Sequence, residues 1–319
     1  MLNAYPLSAE PAVAADLVSK TWIDLISPTP EEVAAVEKAF GLKLPSRDDL
    51  SEIENSSRLR TKGEVLYMSA PLIGRNEDGS LEASPTGFIL CSRTCITLRY
   101  RDIGAMDAVI EKLKGRQDLN PADIFVDVLE EVVDRAADRL ESAGDTLNKA
   151  SHSIFREKAP KGAKVGRDTN VLRDLMKRIG RASEHMSIVR YTLVCLVRMT
   201  HYVEDRAHGW IEPPCVERLH AVRADIASLE QYEENLLSRI QLLQDAATAF
   251  ISIEQNDVVK VLTIASVVGI PPVLIVGVYG MNFKDMPELT WSFGYPYALG
   301  LMAVSMIVPL VWFKIKDWM

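Results

Sequence analysis

Two apolar runs near the end of the chain, residues 261–279 and 294–313, constrain what it can fold into more than any other feature. Each is long enough to cross a bilayer core as a helix, which takes about 20 residues. The short segment between them begins Tyr279-Gly280-Met281-Asn282-Phe283. Two adjacent spans and a short polar loop make an otherwise charged chain a candidate for an ion pathway.

The 319 residues leave room for more than one domain. Charged residues make up 25% and apolar residues 48%, averages that hide the two runs. Nearly all the charge falls in the first 250 residues, which must form a large water-exposed body. The net charge of −8 argues against nucleic acid as a partner, since a basic face would be expected there. Cys91, Cys95, Cys195 and Cys215 have neither disulfide-framework nor zinc-ribbon spacing. Free thiols suit a reducing cytosol, with Cys91 and Cys95 expected as a buried pair. Residues 1–16 lack the basic start and apolar core of a signal peptide, so membrane insertion is expected to rest on the C-terminal runs.

Residues 1–118 read as a mixed α/β domain. Thr21–Ile26, Leu66–Ile73, Thr86–Cys91 and Cys95–Tyr100 are β-branched and aromatic runs expected as strands. Thr29-Pro30-Glu31-Glu32 is a capping box that should start a helix with Val33, Val36 and Phe40 on its apolar face. Asn76–Gly79 is a turn, and Ala105–Lys114 a short amphipathic helix. After Asn120-Pro121 the period becomes helical, with Ile124, Phe125, Val128, Leu129, Val132, Val133 and Ala136 on one face. That helix should run to Phe155 and a second from Asn170 to Val203, joined by the basic link 158–167. From Val216 to Tyr279 the pattern supports one helix of about 65 residues, about 100 Å long, for which Gly280 is a natural C-cap.

Two stripes run along this last helix. One is apolar and alternates three and four: Leu219, Val222, Ile226, Leu229, Leu236, Ile240, Leu243, Ala247 and Phe250, interrupted by Glu233. The other has the same spacing but small or uncharged polar residues. It runs Ser228, Gln231, Asn235, Ser238, Leu242, Asp245, Ala249, Ser252, Asn256, Val259, Thr263, Ser266, Ile270, Val273 and Gly277, with Asp245 its one charge. A polar stripe entering a membrane span needs polar or protein surroundings there. Several copies around an axis would supply them, which suggests a homo-oligomeric pore. Close helix packing by small residues and hydroxyls bonded back to their own helix explain the same pattern. Pro271-Pro272 frees backbone carbonyls in the span, at a wetted bend or a packed kink.

Lys260 precedes the first run, and Lys314 and Lys316 follow the second. Lys284, Asp285 and Glu288 give the loop between them a net charge of −1. The positive-inside rule places both ends in the cytoplasm and the loop outside. Trp291, Tyr295, Tyr297 and Trp312 lie near span ends, where aromatic anchors collect.

The loop motif, followed by Met286-Pro287-Glu288-Leu289 and Trp291-Ser292-Phe293-Gly294-Tyr295-Pro296, resembles the CorA family of magnesium transport proteins. Lys260-Val261-Leu262-Thr263, the end Lys314–Trp318, Trp22-Ile23-Asp24-Leu25 and Glu52-Ile53-Glu54 extend the resemblance over the whole chain. It implies an α+β cytoplasmic domain followed by long helices and two C-terminal transmembrane helices, assembled as a funnel-shaped homopentameric channel. The divisions are 1–118 for the α/β domain, 119–255 for the stalk, 256–280 for the pore-lining span, 281–293 for the external loop, 294–314 for the second span and 315–319 for a cytoplasmic tail. By the resemblance, Gly280, Met281 and Asn282 form a selectivity ring. Asn256, Val259, Leu262, Ser266, Ile270 and Gly277 line the conduit, and Asp245 forms an acidic ring at its cytoplasmic mouth. The polar stripe picks Thr263 where the resemblance points to Leu262.

A ring of neutral acceptors binds hydrated magnesium through its waters, which the ion gives up reluctantly, and releases it again. The resemblance also implies that cytosolic magnesium bound between subunits holds the pore shut. Asp205, Glu217, Asp225 and the acids from Asp127 to Asp138 are candidates, though a solvated helix face explains each of them too. Ala221 stands where the resemblance implies a sensing acid, and Lys284 where it implies a loop acid. The expected function is therefore passive, potential-driven Mg2+ influx across a cell (inner) membrane, with Co2+ or Ni2+ as further passengers. No cofactor, nucleic acid or enzymatic activity is expected. The five histidines join no nucleophile or acid constellation, and a phosphate loop of the Gly-x-x-x-x-Gly-Lys type is missing. A zinc transporter of the same superfamily is the nearest alternative, although the stripe offers no histidine or cysteine. A membrane-anchored helical scaffold is the alternative from another class.

Overall fold

The computed structural model describes residues 1–5, 17–52, 54–76, 80–114, 116, 119–155, 169–207, 209–282, 286–316 and 318. Met1–Arg156 and Leu175–Leu243 pack as one unit, and Gln244–Met319 belong to a second.

The first unit is built on a six-stranded sheet of β1 (Leu2–Tyr5), β2 (Trp22–Ile26), β3 (Leu59–Lys62), β4 (Val65–Arg75), β5 (Leu81–Leu90) and β6 (Cys95–Arg99). Their order is β1-β2-β6-β5-β4-β3. Strands β2 and β6 are parallel and the other pairs antiparallel. β4, β5, β6 and β2 match the β-rich runs of the sequence. β1 and β3 were not anticipated; both are four-residue edge strands, and β3 carries Arg60, Thr61 and Lys62 exposed. Charge on an edge discourages pairing with another chain.

Strand alternation sends two sets of side chains to opposite faces. Ile23, Leu25, Ile89, Ile96 and Leu98 form one core with Val36 of α1 (Pro30–Phe40) and Leu50 of α2 (Arg47–Ser51). Gly87 permits this approach, since a Cβ there would meet Leu50 Cδ2 at 2.9 Å. The expected capping box starts α1: Glu32 N donates to Thr29 Oγ1, and Thr29 N to Glu32 Oε2. A second box, Ser46 with Asp49, starts α2, and the short α3 (Asn55–Arg58) leads into β3. On the opposite face Phe88 meets Phe125 of α5 (Pro121–Phe155) edge to face at 5.8 Å. α4 (Gly104–Leu113) packs beside α5. Asp24 is fully buried on this face. Arg99 Nη2 lies 2.9 Å from its Oδ2, and Thr97 Oγ1 donates to its Oδ1 at 2.6 Å.

Cys91 and Cys95 straddle a tight turn, where Cys91 N donates to Thr94 O. Cys95 is buried and Cys91 only partly so. They are two separate thiols, and the expected buried pair is corrected in that respect. The Asn76–Gly79 turn falls mostly outside the described residues, as does the basic link 158–167.

Helices α6 (Thr169–Arg206) and α7 (Pro213–Tyr279) follow α5. α7 has 67 residues and is about 100 Å long at helical rise. Its first part joins α5 and α6 in the core of the first unit: Leu219, Val222, Ile226, Leu236, Ile240 and Leu243 are buried, as the apolar stripe requires. Gly144 of α5 lets Tyr232 approach, because a Cβ would sit 2.7 Å from the tyrosine hydroxyl. The interrupting Glu233 has a partner. Its side chain is 2% exposed and Arg190 of α6 donates to it at 3.2 Å. Burial raises its pKa, and Arg190 only partly opposes that.

Candidate ion-conduction site

The polar stripe lies on the accessible side of α7. Ser228, Gln231, Asn235, Ser238, Leu242, Asp245, Ala249, Ser252, Asn256 and Val259 are all exposed, while Thr263 and Ser266 are partly so. Leu262, Ile270 and Gly277 are exposed higher up. The Thr263 hydroxyl donates to Val259 O and that of Ser266 to Leu262 O, each at 2.8 Å. Both protons are thus used within the helix, while the hydroxyl lone pairs stay available. No residue in the most apolar window of α7 is buried, and in α8 (Gly294–Ile315) Phe313 is the one buried residue among those described. Helices apolar on every side, with nothing of their own chain to cover them, have the character of membrane spans.

Pro271 and Pro272 lie within α7, which continues through them. It ends at Tyr279. Gly280 N donates to Val276 O at 2.8 Å and Met281 N to Val278 O at 3.3 Å, so the backbone unwinds by a last loose turn. Gly280 does not adopt the left-handed conformation of the expected C-cap; the glycines with positive φ among the described residues are Gly41, Gly63 and Gly209. Met281 and Asn282 are exposed, and 283–285 lie outside the described residues. A 3₁₀ turn at Pro287–Leu289 follows. Gly294 then packs so closely that a Cβ would come within 2.2 Å of Glu288 O, which demands glycine. Trp291 and Tyr297 meet at 5.7 Å between ring centres.

The regulatory candidates are dispersed. Asp205, Glu217 and Asp225 are exposed, and the carboxylate of Asp205 lies 3.5 Å from Arg206. Among the described residues, no three His, Cys, Asp or Glu gather as a metal-binding group. Asp127, a candidate from the acidic run on α5, is ion-paired. Arg218 of α7 reaches across to Asp127, Asp123 and Glu130, with 2.7 Å to Glu130 Oε2. These bonds raise the arginine's pKa and tie α5 to α7. A second tie joins Glu204 of α6 to His220 and Arg223 of α7, lowering the glutamate's pKa. Sequence spacing does not reveal either cluster, because the partners lie on different helices.

A charged α/β and helical unit, two apolar helices and an exposed Gly-Met-Asn loop between them define a membrane protein of the two-span transport class. Residues 19–315 match the family described as "CorA-like Mg2+ transporter protein", and the chain belongs to that family. It is 29% identical over 327 residues to the magnesium transport protein CorA of Pasteurella multocida, covering 100% of both chains. The magnesium transport protein CorA of Escherichia coli (strain K12) is 29% identical over 305 residues, 95% of this chain and 93% of that one. In fold, the chain is similar to the complete structure of the CorA magnesium transporter from Methanocaldococcus jannaschii. The TM-score is 0.74 at 17% identity, covering 98% of this chain and 95% of that one. The full-length CmaX protein gives 0.67 at 18% identity, covering 98% and 91%.

Proposed function

We propose that this chain is the subunit of a homopentameric channel for passive Mg2+ entry, with Co2+ and Ni2+ as lesser passengers. The observation that carries the reading is the accessible polar stripe of α7, continuing through an apolar span to Gly280-Met281-Asn282. Five such stripes around an axis give a wetted path that one helix cannot enclose. The carboxamide of Asn282 and nearby backbone carbonyls hold hydrated Mg2+ at the outer mouth through its waters. Asn256, Thr263, Ser266 and Gly277 line the path below. Val259, Leu262 and Ile270 supply an apolar constriction that closes by dewetting. Asp245 rings the inner mouth and concentrates cations. A double charge entering a cell held at about −100 mV gains about 4.6 kcal/mol, so no nucleotide is needed.

In this reading residues 1–118 and 119–255 form the cytoplasmic body. Residues 256–280 and 294–314 are the spans, 281–293 the external loop and 315–319 the tail. Both ends are cytoplasmic, and the membrane is the cell (inner) membrane. Cytosolic Mg2+ at subunit boundaries, through acids such as Asp205, Glu217 and Asp225, favours the closed state.

The test is flux into liposomes that contain the purified protein and a magnesium-sensitive dye, under an inside-negative potential. Mg2+ entry blocked by cobalt hexaammine, a mimic of the hydrated ion, is the expected result. Zinc entry with little Mg2+ flux moves the protein to zinc transport. No flux of either ion from an intact oligomer supports the scaffold reading.

A further inference from the structure

The last turns of α6 and the first turns of α7 meet at four side chains: His201 and Glu204 on α6, His220 and Arg223 on α7. Each helix supplies a pair three residues apart, so each pair shares one face. Glu204 Oε1 lies 2.7 Å from His220 Nε2, and Glu204 Oε2 accepts from Arg223 Nη1. The same Nη1 lies 2.9 Å from His201 Nδ1. Arg223 is 17% exposed, so its guanidinium is largely covered.

The chemistry of the partners fixes who donates. A guanidinium has donors only and is not deprotonated in proteins. The bond between Arg223 and His201 therefore needs His201 Nδ1 as a bare acceptor. The Glu204 carboxylate only accepts, so His220 Nε2 must carry a proton. Bonds from His220 and Arg223 lower the pKa of Glu204, which stays charged where histidine ordinarily titrates, about pH 5–8. The two histidines thus answer acid in opposite ways. A second proton on His220 leaves its bond to Glu204 in place and adds a charge to it. A second proton on His201 lands on Nδ1 itself. The acceptor is then gone, and an imidazolium N–H faces a guanidinium N–H across 2.9 Å.

The other charges at this edge are Arg198, Asp205 and Arg206 on α6 and Glu217 on α7. Asp205 lies 3.5 Å from Arg206, and Arg198 has a partner of its own. On α5, Asp123, Asp127 and Glu130 are held by Arg218. β3 meets the adjacent Tyr202 through Thr61 Oγ1 at 2.6 Å and carries Arg60 and Lys62 exposed. Among the described residues Glu204 is the one carboxylate within ion-pair distance of His220 or Arg223, and none is within that distance of His201.

We propose that the cluster is a proton-sensitive latch: near neutral pH Arg223 ties both Glu204 and His201 to α7, and acidification protonates His201 and releases that half of the tie. The bond is present while His201 is neutral and is lost as pH falls through the histidine range. The Glu204 bonds remain, so the end of α6 loosens without unfolding. The latch does not depend on the transport reading.

The test is hydrogen exchange of the full-length protein in detergent at pH 7.5 and pH 5.5, corrected for the intrinsic effect of pH on exchange. Residues 197–206 of α6 are compared with residues 124–133 of α5 as an internal reference. In the parent the α6 segment should open about fivefold more readily at the lower pH, the scale of one exposed charge contact, while the reference stays level. His201→Gln keeps an oxygen acceptor for Arg223 and cannot take a proton, so its protection should match the parent's at pH 7.5 and stay level on acidification. Arg223→Gln removes the cation that a protonated His201 would face and should also abolish the acid response. His220→Gln keeps a donor for Glu204 and should retain that response. A parent segment equally protected at both pH values overturns the proposal. So does an acid response that survives in His201→Gln or Arg223→Gln, or one that disappears in His220→Gln. A His201→Gln segment already unprotected at pH 7.5 also overturns it, since the imidazole would then matter for its packing and not for its missing proton.

Discussion

The apolar side chains in the two halves of α7 have opposite fates. In residues 213–250 the apolar side chains form a stripe, and Leu219, Val222, Ile226, Leu236, Ile240, Leu243 and Ala247 are all at most 4% exposed. In residues 251–279 they occur on every side, and Val261, Leu262, Ile270, Val273 and Leu274 are each 56% exposed or more. Removing apolar surface from water is worth about 25 cal/mol per Å². The first half gains this within its own chain, while the second half must gain it from lipid and from other copies. Soluble monomers seldom expose contiguous apolar patches beyond about 300–600 Å². Hydrophobicity alone therefore does not say where a residue is buried; its period around the helix does. Polar interruptions follow the same division. Glu233 in the first half meets Arg190 within the chain, whereas Asn256 in the second faces outward.

Substitutions in the two halves should therefore separate stability from transport. The largest effect is expected at the exposed end. Asn282→Ala should abolish selective Mg2+ uptake in the liposome assay and leave the melting temperature and oligomer size unchanged. Normal uptake by this variant removes Asn282 from the selectivity ring. In the covered half the pattern reverses. Arg218→Ala strands Asp123, Asp127 and Glu130 and should cost about 1.5–3 kcal/mol, the range for hydrogen bonds to charged groups. Thermal or denaturant unfolding reads this loss, and an unchanged midpoint shows that the cluster contributes nothing to joining α5 and α7. Asp245→Ala is a middle case, exposed but near the end of the buried stripe. It should alter conductance or the response to cytosolic Mg2+ without loss of folding; flux matching the parent's in both respects rejects the acidic ring.

Where one element's own residues determine its structure, the sequence was legible. The capping box at Thr29, the helical period from Ile124 and the long helix ending at Tyr279 needed only local chemistry and spacing. The strands β2, β4, β5 and β6 were equally plain, because β-branched and aromatic residues cluster there. The four-residue β1 and β3 carry too little pattern to be seen, since pairing with β2 and β4 defines them. Both stripes on α7 were readable from spacing; Arg190 as the partner of Glu233 was not, because the two lie 43 positions apart. Of the acids from Asp127 to Asp138 that looked like candidates for a cation, Asp127 and Glu130 are held by Arg218. That contact joins two helices about 90 residues apart, and no local pattern encodes it. Gly280, Met281 and Asn282 were legible only as a motif, for all three are exposed.

Glu233 offers a finer test of the covered half. Its folded-state pKa lies above the ordinary value of 4.5, so the native protein binds this proton more tightly than the unfolded chain does. Its contribution to stability is then fully present below that ordinary value and is lost as pH rises through the raised one. Glu233→Gln removes the titration. The melting temperature of the parent relative to the variant should fall as pH rises above about 4.5. A flat difference shows that Arg190 cancels the effect of burial, and a rising one that it outweighs it.

The smallest effect, and the one that bears most directly on the uncovered half, is Ser266→Ala. The hydroxyl donates to Leu262 O, so its proton serves no neighbour, and the variant should change subunit stability by no more than about 0.5 kcal/mol. Its oxygen still accepts, and if that oxygen lines a wetted path its loss removes one water-binding group from each subunit. A modest fall in Mg2+ flux per intact oligomer, with unchanged oligomer stability, is expected. Close packing by small residues predicts the reverse. The oligomer would loosen or tighten as the helix surface changes, while flux per intact oligomer stayed at the parent level. That outcome would turn the polar stripe above Asn256 into a packing seam. The outer half of α7 would then resemble the inner half after all, with other copies of the chain in place of α5 and α6.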